Sequence, residues 1–127
     1  MIVSDSSAVL AVIFGEPGAD VAEALMHDEA AVVSSVNHAE TLAILLDRGM
    51  TTAQAAKIFQ GLQLTVLPFT LEQAEIAGRL RPSTRPLGLS LGDRCCLALA
   101  RSQNNATVVT ADRPWAHLAD FSVTLIR

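Results

Sequence analysis

The apolar residues of this chain come in short runs that do not alternate with polar ones, and helical stretches lie between nearly all of those runs. Residues 2–3, 30–34, 64–67, 107–110 and 123–126 each read as a strand. A strand with one wet face alternates apolar and polar side chains, whereas an unbroken apolar strand has to be covered on both faces. Helical spacing marks residues 6–15, 19–28, 37–48, 53–62, 71–81 and 91–103. Gly15-Glu16-Pro17-Gly18 stops the first of these and Thr51-Thr52 caps the fourth. Residues 82–89, with two prolines and a glycine, read as a loop. The alternation predicts an α/β fold, a three-layer sandwich around a short, mostly parallel central sheet.

A chain of 127 residues is long enough for one domain, residues 1–127, with its own core. Half of it is hydrophobic and only 17% is charged, which excludes a disordered chain. No run approaches the ~18 apolar residues of a membrane span. Asp5 and Glu16 bracket the only apolar candidate for a secretory leader, and no basic segment precedes it, so a cytoplasmic protein is expected. Cys95 and Cys96 are neighbours, about 100° apart on a helix, and read as buried reduced thiols rather than a disulfide. The net charge of −4 argues against general nucleic-acid binding. Its distribution is uneven: residues 1–63 carry two basic and eight acidic side chains, residues 64–127 seven and five. Eight of the nine basic residues are Arg, the cation suited to bidentate contact with phosphate.

Asp5 stands just past the first strand and Asp112 just past the strand at 107–110. In open parallel sheets, ligands bind beyond the carboxyl ends of the strands, where strand order reverses. Both acids are therefore expected on that edge. Each also has a structural reading as a helix cap: Asp5 with Ser6 or Ser7, Asp112 before Arg113-Pro114. Asn37-His38-Ala39-Glu40 and Ser90-Leu91-Gly92-Asp93 have the form of capping boxes. Taken together, Asp5, Glu40, Asp93 and Asp112 fall at junctions near one sheet edge. Clustered carboxylates repel and raise one another's pKa unless a cation neutralises them. Hard oxygen donors suit Mg²⁺, or Mn²⁺, rather than zinc, and His27, His38 and His117 are too scattered for a zinc set. Such a centre hydrolyses phosphodiesters or other phosphate esters.

Four stretches, "IVSDSSAVLAVIFGEPG", "VVSSVNHAETLAIL", "LSLGDRCCLALA" and "TVVTADRPWA", together resemble the PIN domain. More closely, they resemble the VapC-type ribonuclease toxins of bacterial toxin–antitoxin pairs. The likeness runs from Met1 to about Leu118. It implies a Mg²⁺-dependent endoribonuclease that hydrolyses RNA with a metal-activated water, leaving a 5′-phosphate and a 3′-hydroxyl. By motif, Asp5, Glu40, Asp93 and Asp112 become the acidic tetrad, with Asp5 and Asp93 as direct ligands and Glu40 and Asp112 acting partly through water. Ser6, Thr110, Arg94 and Arg113 become candidate substrate contacts. Gly92 departs from the Ala expected before Asp93. The likeness also implies a homodimer silenced by a cognate antitoxin, for which residues 41–46 and 53–62 offer apolar surface. Trp115 reads as packed against the turn after Asp112 rather than stacked on a base. Two other functions fit strand-end acids: a receiver-like or phosphatase-like phosphoryl-transfer protein, and a binding module whose acids only cap helices. The phosphatase pattern needs a second Asp where Ser7 stands. The receiver pattern needs a late Lys, and Lys57 is the only lysine.

Overall fold

The computed structural model describes residues 1–127. Five strands, β1 (Ile2–Ser4), β2 (Ala31–Ser34), β3 (Thr65–Leu67), β4 (Thr107–Thr110) and β5 (Val123–Leu125), form one sheet in the order β3-β2-β1-β4-β5. Every neighbouring pair is parallel. The expected sheet is therefore parallel throughout, and its strand order reverses at β1. The chain first moves outward through β2 and β3, then returns to the other side of β1 for β4 and β5.

Seven helices accompany the strands: α1 (Ser6–Phe14), α2 (Ala19–Asp28), α3 (Ser35–Asp47), α4 (Thr52–Leu62), α5 (Leu71–Arg79), α6 (Arg81–Thr84) and α7 (Leu91–Ser102). Successive side chains of a strand point to opposite faces. Ile2 and Val109 accordingly join Ala8, Val9, Ala11, Ala22 and Met26 of α1 and α2 on one face. Val3, Val32 and Val108 join Cys96, Leu97, Leu99 and Ala100 of α7 on the other. These are the outer layers of the expected sandwich. Helix α3 packs against both α1 and α7, and α5 packs along α7. No helix is long and apolar enough to cross a membrane.

Local chemistry accounts for most element ends. Gly15 ends α1 in the left-handed conformation, at φ 64°. Thr51 and Gln54 form a reciprocal capping box at the start of α4. Three expectations need correction. Helix α3 starts at Ser35, capped by the Ser34 hydroxyl, so Asn37 lies inside the helix and caps nothing. Residues 82–89 are not a loop: α6 and a 3-10 turn at Arg85–Leu87 occupy most of them. Pro82 and Pro86 sit in first-turn positions, where no backbone donor is lost and the fixed φ favours a helix. Strand β3 is an edge strand with Val66 40% exposed, so it is not covered on both faces as the three central strands are.

Leu97 is fully buried between α7 and the sheet. We expect Leu97→Ala to cost about 2–5 kcal/mol in urea unfolding. Glu75→Ala, which removes only the exposed pair with Arg79, should change stability by less than about 0.5 kcal/mol.

Candidate metal centre

Three separate devices bring acids to the carboxyl edge of the sheet. Asp5 follows β1 directly, and its amide donates to the Val109 carbonyl of β4, so the end of β1 is tied to its neighbour. Asp93 is the third residue of α7, where the Ser90 hydroxyl takes its amide and its carboxylate takes the Ser90 amide. Asp112 follows β4 at the entry to a 3-10 turn, Arg113–His117. One carboxylate oxygen from each of Asp5, Asp93 and Asp112 lies within 4.8 Å of the others.

Only one of these acids serves as a helix cap. Asp5 and Asp112 occupy cap positions, yet neither side chain bonds a helix amide. Asp93 does cap α7, while its carboxylate still reaches the cluster. Asp5 is 2% exposed. Its Oδ2 accepts from the Ser7 hydroxyl at 2.7 Å and the Thr110 hydroxyl at 2.9 Å. Those hydroxyls are themselves anchored to the turn that carries Asp112. Ser7 Oγ accepts the Ala111 amide, and Thr110 Oγ1 accepts the Asp112 amide. Ser7 thus holds the centre together, although the sequence marked it only as a cap. The available signal was a hydroxyl two residues beyond a strand-end Asp, aligned in register with β4.

The electrostatics follow from this geometry. Burial first, then the charges of Asp93 and Asp112, push the Asp5 pKa up to about 6 against the opposing pull of the two hydroxyl bonds. The Asp93 carboxyl is raised as well, first by burial and then by Asp112 and Glu40, against its bonds to Ser90. No Arg or Lys pairs with any of these acids; the chain's ion pairs all lie elsewhere. Three converging carboxylates, one of them buried without a cation, match the donor set of a hard divalent ion.

Glu40 stands beside this group, not in it. Its Oε1 accepts from Asn37 Nδ2 at 2.7 Å and from the Ser6 hydroxyl at 3.0 Å. Ser6 is therefore engaged with Glu40, and Thr110 with Asp5. A cavity of about 240 Å³ opens over the centre, lined by Asp93, Asp112, Arg113, Leu87, Leu89 and Trp115. Arg113 lines the same cavity as Asp93 and Asp112. Arg94 does not line this cavity: its Nη1 donates to the Ala77 carbonyl of α5. Trp115 is 1% exposed in the core, as read from the sequence. Cys95 and Cys96 are free and buried.

A parallel sheet with acids gathered at its strand-order reversal defines an α/β protein with a candidate metal centre at the switch point. The family model of the PIN domain matches residues 2–120, and the chain belongs to that family. Solved structures of similar fold include a toxin–antitoxin complex from Klebsiella pneumoniae, with a TM-score of 0.76 at 15% identity over 100% of this chain and 98% of that one. VapBC2 from Rickettsia felis, bound to a DNA fragment from its promoter, gives 0.74 at 19% identity over 98% of each chain. VapC20 from Mycobacterium tuberculosis, a sarcin–ricin loop cleaving toxin, gives 0.73 at 19% identity over 96% of this chain and 99% of that one. None of the curated proteins matches this chain in sequence.

An acid whose pKa is raised by folding adds stability below its unfolded pKa and loses it as pH climbs through the folded value. For Asp5 that window runs from about 4 to about 6, and its full span corresponds to about 3 kcal/mol. In EDTA, the wild type should therefore lose stability relative to Asp5→Asn between pH 4 and pH 7. Urea midpoints of the two proteins measured across that range check this.

Proposed function

We propose that this protein is a divalent-metal-dependent endoribonuclease, acting as the toxin of a toxin–antitoxin pair. The observation that carries the reading is the convergence of Asp5, Asp93 and Asp112 at the sheet's switch point in a PIN domain. The similarity to VapC20, itself an RNA-cleaving toxin, supports RNA as the substrate.

Asp5, Asp93 and Asp112 would hold Mg²⁺, with Mn²⁺ as an alternative. When bound, such an ion lowers the pKa of a water and stabilises negative charge on a phosphodiester. The remaining work falls to the chain. Ser7 and Thr110 fix Asp5 through its Oδ2. Glu40, held beside the centre through Oε1 by Asn37 and Ser6, would accept a proton from the attacking water. Arg113, in the same cavity as Asp93 and Asp112, supplies a cation for an RNA phosphate near acids that would otherwise repel it. The products would be a 5′-phosphate and a 3′-hydroxyl.

For the antitoxin, the support lies in the solved complexes and in an exposed apolar surface. Leu46 of α3 is 41% exposed, and Met50 and Ile58 line a hollow beside α4. An amphipathic segment of an antitoxin would fit there, and a second copy of the chain would complete a homodimer in the cytoplasm. Phosphoryl transfer is less well supported. The only lysine, Lys57, lines that hollow rather than the acid cavity, and no second Asp follows Asp5 at the required spacing.

Asp5→Asn and Asp93→Asn should each lower RNA cleavage by at least about 100-fold, beyond what loss of a supporting residue costs. Excess EDTA should abolish it in the wild type, and Mg²⁺ or Mn²⁺ should restore it. Full cleavage by either variant, or in EDTA, contradicts the proposal. A covalent aspartyl-phosphate formed with a small phosphodonor would favour phosphoryl transfer instead.

A further inference from the structure

The sequence departs from its family pattern at Gly92, and the structure supplies a physical reason. The Glu40 side chain lies directly over this glycine. A Cβ at position 92 would overlap Oε2 of Glu40 and stand 2.6 Å from both its Cδ and Oε1, closer than non-bonded atoms approach. Gly92 is in an ordinary helical turn, so conformational freedom is not what selects it. The bare surface is needed by the carboxylate.

Asn37 occupies the other side of the same contact. It is fully buried, and its Nδ2 donates both to Glu40 Oε1 at 2.7 Å and to the Gly92 carbonyl at 3.0 Å. Its Oδ1 is buried without any partner. An unpaired buried acceptor costs about 1–3 kcal/mol, so stability alone is a poor reason to keep an amide here. Glu40 is itself an exposed residue, and a free glutamate at the surface samples many rotamers. Asn37, Ser6 and the flat Gly92 surface together leave it one position. The Gly92 carbonyl is also the group just before Asp93.

We propose that Asn37 and Gly92 are positioning residues that lock Glu40 against the first turn of α7, so that Glu40 and Asp93 are held in one fixed relation. This rests on the nuclease reading, since Glu40 is taken there as the proton acceptor. The lock acts on Glu40 and leaves the three aspartates assembled.

The test measures kcat and KM on a fluorescently labelled single-stranded RNA of mixed sequence, alongside Mn²⁺ affinity by calorimetry. Asn37→Ala and Gly92→Ala should each lower kcat by about 10–100-fold. KM and Mn²⁺ affinity should stay within about threefold, as expected for groups that supply no metal ligand and no contact to the RNA. Glu40→Asp, harmful alone, should recover part of the kcat lost in Gly92→Ala, because the shorter side chain withdraws from the new Cβ. In the wild type, the Asn37 side-chain amide protons should exchange slowly by NMR, and Glu40→Ala should speed their exchange. Unchanged kcat in Asn37→Ala and Gly92→Ala, or no recovery in the double variant, overturns the lock while the nuclease reading stands. A wild type that neither cleaves RNA nor binds Mn²⁺ overturns both.

Discussion

A carboxylate removed from water without a cation is the constraint on which this structure turns. Asp5 is 2% exposed and is met by two hydroxyls rather than by a guanidinium or an ammonium group. Folding holds it there because β1 lies at the centre of the sheet, with β2 on one side and β4 on the other. Its backbone is fixed by β4, and its side chain is fixed by residues at the ends of α1 and β4. The unfavourable charge is the cost of placing a carboxylate at the switch point of a parallel sheet. A divalent ion held by the three carboxylates would offset that charge.

The other acids arrive by weaker constraints, and this sets their roles apart. Asp93 divides its carboxylate between the cap of α7 and the centre. Asp112 is exposed, and its side chain caps no helix. Glu40 sits at the rim, restrained by neighbours rather than by burial. Burial therefore falls from Asp5 outward to the cavity mouth.

Much of this was legible in the residues. Short, non-alternating strands and helical spacing place all five strands and six of the seven helices, since burial on two faces leaves a clear pattern. The acids at strand ends and helix starts follow from the same reading. The rest depends on contacts between distant segments. Pro82 and Pro86 look like loop residues until they are seen to begin turns of helix. Asn37 looks like a cap because its spacing to Glu40 fits one, yet the helix starts two residues earlier at Ser35, after the Ser34 cap. Arg94 follows a site acid in sequence, but a helix turns each residue by about 100°, which sends its side chain to α5 instead. Gly92 reads as a looser helix start, and only the overlying Glu40 explains it.

The claim that Asp5, Asp93 and Asp112 form a divalent-cation centre is tested most directly by anomalous diffraction from crystals of the protein grown with Mn²⁺ near neutral pH. The account predicts an anomalous peak within ligand distance, about 2.0–2.6 Å, of oxygens from all three aspartates. No peak at the switch point, with the three carboxylates held by protonated or cationic protein neighbours instead, would contradict it.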